Sequence, residues 1–168
     1  MKRMLCLLML IFSVFGFSSC SSGINMEKLT DYQNKDFSAF ANVAIDGVKY
    51  KINVKKQADS LYISFTEPKA LSSYEFIVNE NTLSVRSGTL IVPIDAGAQF
   101  KKISALAGLF HVSCADTWRI KKESVGGVPV YLCKNESDGT VLYIDTSSRL
   151  PLKIICGGIE ADITSFHQ

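Results

Sequence analysis

Val48-Lys-Tyr-Lys-Ile-Asn-Val-Lys55 changes side-chain character at every step. A strand sends successive side chains to opposite faces, so Val48, Tyr50, Ile52 and Val54 share one face while Lys49, Lys51, Asn53 and Lys55 share the other. Such a segment is stable only as part of a sheet with one covered side. Asp46-Gly47 in front of it suits a two-residue hairpin turn, which makes the apolar, small-residue run Phe37–Ile45 the first strand of a hairpin. The lysine row reads either as a solvated face that discourages edge pairing or as cations set against anionic lipid headgroups.

The same pattern continues. Ser60–Thr66, Tyr74–Val78, Thr82–Arg86 and Thr89–Val92 read as further strands, with Asn79-Glu80-Asn81 as a turn and Pro93 as a stop. A helix is predicted from Ala96 to about Phe110, capped by Asp95. Phe100, Ile103, Leu106, Ala107 and Phe110 recur at three-and-four spacing and form one apolar stripe, with Lys101, Lys102 and Ser104 off it. The strands then resume over Asp116–Glu123, Val128–Lys134, Thr140–Asp145, Leu150–Cys156 and Ile159–Phe166, with Gly126-Gly127, Ser137–Gly139, Thr146–Arg149 and Gly157-Gly158 as turns. The predicted class is mainly β with one covering helix (α+β). A twisted antiparallel sheet this long tends to curl, and a sheet curled around the helix with its edges unsealed is an unclosed barrel.

The chain of 168 residues carries 18 Lys and Arg against 16 Asp and Glu. Both excess cations, Lys2 and Arg3, precede the apolar run Leu5–Phe17, which ends in Ser18-Ser19-Cys20. A cationic start, an apolar stretch and a small-residue close are the parts of an export signal. The stretch is shorter than the ~20 residues that span hydrocarbon. Residues 1–19 are read as signal peptide, 20–35 as a lipidated N-terminus and polar tether with room for a short helix within Asn25–Gln33, and 36–168 as one domain. Without Lys2 and Arg3, 16 bases face 16 acids, so no global charge asks for nucleic acid. Ser18-Ser19-Cys20 resembles the lipobox of bacterial lipoproteins, with Phe17 where the motif usually has leucine. The resemblance implies acylation (palmitate-type chains) at Cys20 and a place on the extracytoplasmic side of a cell membrane; two or more chains suffice for stable anchoring.

Cys114, Cys133 and Cys156 remain, an odd number that allows one disulfide at most and equally suits three small buried apolar residues. No C-x-x-C accompanies the two histidines, His111 and His167, so no metal site is expected. Phosphate-binding, dinucleotide-binding and hydrolase motifs are absent from the sequence, and no cofactor is expected. His111-Val-Ser-Cys114-Ala-Asp116 is the one grouping with a nucleophile, a base and a carboxylate. A histidine just past a helix end has a sufficient structural reason in the helix dipole, and no catalytic residue is expected.

Tyr143-Ile-Asp145, Leu150-Pro151-Leu-Lys-Ile154 and Ile163-Thr-Ser-Phe166, following a lipobox and a long up-and-down sheet with one mid-chain helix, resemble the LolA/LolB-like lipoprotein carrier and receptor superfamily and the germination lipoproteins built on the same half-barrel. The resemblance implies an open barrel whose concave apolar face receives an acyl chain or a partner segment, with no active site. The arginine that holds the lid in the soluble carrier has no counterpart in Arg86, Arg119 or Arg149. The expected function is therefore binding, by a membrane-anchored, non-enzymatic lipoprotein, of a lipid or hydrophobic ligand or an envelope protein. The expected lining is Phe100, Ile103, Leu106 and Phe110 from the helix and Trp118 from the sheet. The alternative is a structural or assembly module with a filled core, no ligand, and a sheet edge that pairs with another protein.

Overall fold

The computed structural model describes residues 24–79, 82–94, 101–115 and 117–168. The expected export signal, Cys20, the Glu80-Asn81 part of the predicted turn, the expected Asp95 cap, Phe100 and Asp116 lie outside the described residues. Eleven strands form one open antiparallel sheet: β1 Phe37–Ile45, β2 Val48–Gln57, β3 Ser60–Glu67, β4 Tyr74–Asn79, β5 Thr82–Ser87, β6 Leu90–Ile94, β7 Trp118–Val125, β8 Val128–Asn135, β9 Val141–Asp145, β10 Pro151–Cys156 and β11 Ile159–His167. Two α-helices are described, α1 Met26–Leu29 and α2 Lys101–Gly108, with 3-10 turns at Asp31–Asn34 and Lys69–Leu71.

The spatial order is β6-β5-β4-β3-β2-β1-β11-β10-β9-β8-β7. The first and last strands pair in the middle, and β6 and β7, consecutive in sequence, are the two free edges. The chain between them has to cross the face of the sheet, and α2 lies on that crossing. This gives the helix its partner surface: its apolar stripe lands on the concave side, where Leu106 is fully buried.

Residues opposite one another in an antiparallel pair share a face. Val54 opposite Ala39, Ile52 opposite Ala41, Val54 opposite Ile63 and Ala161 opposite Val43 therefore all project inward, and each is buried. The alternation read from Val48–Lys55 holds for the central residues: Ile52 and Val54 are buried while Lys49, Lys51 and Lys55 are exposed. Val48, near the hairpin turn, is 54% exposed, because the cover stops short of that end. Asp46 and Gly47 both have positive φ, 50° and 80°, as a two-residue turn matched to strand twist requires.

Two expectations change. Residues 24–34, expected within the tether, pack into the core: Met26, Leu29 and Tyr32 are buried, and Ile24 lies against them. The physical reason is the three-residue spacing of these side chains, which a short helix followed by the 3-10 turn Asp31–Asn34 brings to one side. Asn25 caps that helix, its Oδ1 accepting from Lys28 N at 3.2 Å. Pro93, expected to stop its strand, sits inside β6 opposite Ser84. An edge strand tolerates proline because one row of its backbone groups has no ladder partner to lose.

The β9–β10 turn is held by one carboxylate. Asp145 Oδ1 accepts from Ser148 N (2.7 Å), Ser147 N (2.9 Å) and Ser148 Oγ (3.0 Å). These donors, the Ser148 amide foremost, hold the Asp145 carboxyl below its ordinary 3.8. A depressed folded pKa adds stability above the ordinary value that is lost as pH falls through the folded one. Asp145→Ala is expected to cost about 1–2 kcal/mol at neutral pH. In thermal melts the gap between variant and parent should narrow as pH drops below 3.8.

Candidate functional site

The C-terminal half of α2, the Asp31–Asn34 turn, and the ends of β2 to β5 line a half-open cavity of ~730 Å3. Its apolar surface comes from Leu61, Val78, Leu83, Ala107 and Phe110, its polar surface mainly from Gln33, Asn34, Lys56, Asp59, Ser60, Asn79, Thr82 and His111. Each contribution follows from local structure. Leu61, Val78 and Leu83 are inward residues of successive strands, mutually opposite in register. Lys56, Asp59 and Ser60 flank the β2–β3 turn, where Ala58 takes a left-handed conformation with φ 50°. That strained backbone is tied at both sides: Ala58 N donates to Asp36 Oδ1 at 2.9 Å, and Lys56 Nζ donates to Ala58 O at 2.7 Å. The helix ends in tightened turns, with Phe110 N donating to Ala107 O at 3.0 Å and His111 N to Gly108 O at 3.1 Å, which bring Phe110 and His111 to the cavity wall.

Beyond the cavity, the concave face of β4–β6 stays apolar. Val78, Phe76 and Tyr74 follow one another inward along β4, Leu83 and Val85 along β5, and Ile94, Val92 and Leu90 along β6. Tyr74, Val92 and Leu90 are 41%, 42% and 64% exposed. None of Phe76, Tyr74, Val85, Leu90 or Val92 lines the cavity itself.

Of the expected lining, Phe110 lies on the cavity wall. Leu106 is fully buried in the main core, and Ile103 and Trp118 pack against that core rather than forming this wall. Trp118 is further held by Nε1 donating to Ser113 O at 2.9 Å. Phe100 is outside the described residues. The space beneath the middle of α2 is filled, and the hollow lies to the side, toward β3–β5. Leu61 and Val78 were open to discovery in the sequence, since their strands alternate, but which inward residues lie beside empty space has no sequence signal. Gln33 and Asn34 carry none at all.

The polar wall is anchored behind the cavity. Gln33 Oε1 accepts from Val112 N at 2.7 Å, joining the N-terminal turn to the segment after α2. Tyr32 is enclosed by Phe37 and Phe166, and burial pushes its phenol well above the ordinary value, partly opposed by the neighbouring Gln33 amide. Among the described residues, Tyr32 Oη and Gln33 Nε2 nonetheless have no partner in hydrogen-bond geometry.

The three cysteines are separate and free. Cys133 is fully buried and its thiol is pushed up by burial to about 12. Cys156 accepts from Thr140 Oγ1 at 3.0 Å, and exposed Cys114 lies 3.0 Å from Thr30 Oγ1. His111 faces the cavity while Cys114 is drawn toward α1, so the grouping noticed in the sequence is divided between two surroundings. Among the described residues no group of three or more His, Cys, Asp or Glu is placed to hold a metal ion.

No protein-family model matches the sequence. No curated protein matches it either. Solved structures do match. An uncharacterised conserved protein from Thermus thermophilus superposes with TM-score 0.54 at 13% identity, over 85% of this chain and 86% of that one. MucB superposes with TM-score 0.51 at 13% identity, over 84% of this chain and 56% of the MucB chain. The fold is LolA-like. A LolA superfamily protein from Nitrosomonas europaea gives TM-score 0.39 at 8% identity, over 86% of this chain and 93% of that one; the assignment does not rest on it. At these identities the likeness is one of fold, and the chain spans only about half the length of MucB. Among the described residues, no helix is long and apolar enough to cross a membrane.

Proposed function

We propose that the protein is a lipid-anchored, extracytoplasmic, non-enzymatic binding protein of the cell envelope, and that it holds a hydrophobic ligand with an acyl chain in the cavity beside α2. The ~730 Å3 cavity carries this reading. It falls within the ~300–1,000 Å3 of small-molecule sites, and it combines an apolar floor with polar groups on one side, as an amphiphile demands. Anchoring rests on Lys2-Arg3, the apolar run and Cys20. Because Ile24 packs against the core, acyl groups on Cys20 would lie within four residues of it, a reach of roughly 14 Å. The domain then works close to the bilayer rather than on a long stalk.

Native mass spectrometry of the full chain extracted in mild detergent tests the ligand, with an added lipid mass expected beyond any Cys20 modification. Growth with labelled fatty acid tests the anchor, with label expected on the parent and absent from Cys20→Ala. A second reading, an assembly module without ligand, is favoured by the filled space under the middle of α2, where Leu106 is fully buried. It would be supported by protein that carries no additional mass and takes up none when offered long-chain fatty acid.

A further inference from the structure

The two free edges of the sheet are unlike. β7 carries Arg119, Lys121, Lys122 and Glu123, the charged dress that keeps an edge from pairing with other chains. β6 has none: from Gly88 to Ile94 no residue is charged, and Leu90, Ile91 and Val92 are 64%, 50% and 42% exposed. Since neighbouring residues face opposite ways, apolar side chains are exposed on both sides of this strand. We propose that β6 is a self-association edge, where a second copy of this chain adds its own β6 antiparallel about a two-fold axis at Ile91.

The register follows from Pro93. Lacking an N–H, a proline is held in an edge strand where that group would face away from the neighbouring strand. Backbone groups alternate in direction along an antiparallel strand, so those of Ile91 face the open edge as well. A two-fold axis at Ile91 sets it opposite the partner's Ile91, where the two exchange N–H and C=O bonds. Leu90 meets the partner's Val92 on the concave side. An uncharged strand is complementary to itself in every such pairing, whereas two β7 edges in contact would set cations against cations. α2 packs across β4, inward over the sheet rather than at the β6 edge. The closed two-fold arrangement stops at two copies, unlike an edge-to-other-edge contact, which would propagate.

Three half-exposed aliphatic side chains and one short ladder per copy bury less than the ~1,200 Å2 of a stable interface. The dimer is accordingly reversible and shows itself at high concentration. Sedimentation equilibrium of the full chain in mild detergent, from low-micromolar to near-millimolar protein, should give a monomer–dimer equilibrium. Ile91→Lys sets two ammonium groups against each other across the axis and should weaken the dimer roughly tenfold or more. Val125→Lys, at the β7–β8 hairpin, should leave it unchanged, and both variants should melt with the parent because both positions are exposed. Monomer throughout the range, species that grow beyond two copies, a dimer indifferent to Ile91→Lys, or one equally lost in Val125→Lys would each overturn the proposal. The cavity plays no part in it, so failure here leaves the ligand reading untouched.

Discussion

Phe37→Ala is expected to destabilise the protein by about 3–5 kcal/mol, a fall in melting temperature of roughly 10 °C or more for a domain of this size. Phe37 opens β1 and is 4% exposed. Its ring stacks on Phe166 at 4.8 Å and an interplanar angle of 28°, and lies 6.2 Å from both Tyr32 and Phe110. Four separate pieces of chain therefore meet on one side chain: the first strand, the last strand, the N-terminal turn and the end of the α2 segment. Alanine leaves a hole walled by rigid rings that cannot collapse into it, and it loosens the shelter of the buried Tyr32 hydroxyl. Phe40→Ala, three residues along the same strand but on the outer face and 44% exposed, should change stability by about 0.5 kcal/mol or less. Urea or thermal melts of the two variants measure the contrast. Equal losses would mean that β1 is out of register.

Ala107→Phe is expected to weaken ligand uptake about a hundredfold while the fold survives. Ala107 is 6% exposed and lies on the cavity wall beside Ser104 and Phe110. A benzyl group there has empty space to enter, which moderates the overpacking that usually follows a small-to-large change in a core. The apolar floor shared by Leu61, Val78 and Leu83 would be covered by the new ring. Titration with a fluorescent long-chain fatty acid should show affinity reduced about a hundredfold, or ~2.7 kcal/mol. Melting temperature should stay within a few degrees of the parent. Undiminished binding by a folded variant would move the ligand away from this cavity and with it the proposed function.

Much of the fold was legible because its signals are local. The alternation of Ile52 and Val54 with Lys51 and Lys55, the Asp46-Gly47 turn and the glycine pairs at 126–127 and 157–158 each act within a few residues, and each corresponds to a strand or turn. The tether was misjudged because Met26, Leu29 and Tyr32 are few and spaced by three; only a surface already made by other strands gives them something to bury against. Pro93 was misjudged because whether a strand is an edge is a property of the sheet. The candidate site was legible only in outline: Phe110 was placed by the helical stripe, but Leu106 on the same stripe fills the core.

From the sequence alone came the period of each segment, and with it the strands, most turns, the single long helix and an inward face for each strand, because backbone sterics and side-chain burial act over two to four residues. Tertiary structure decided the order of those strands. By pairing β1 with β11 it put β6 and β7 at opposite edges, forced the intervening chain across the concave face, and left one end of that face uncovered. The cavity and the bare edge are consequences of that closure. They depend on contacts between residues a hundred positions apart, and no short-range preference encodes them.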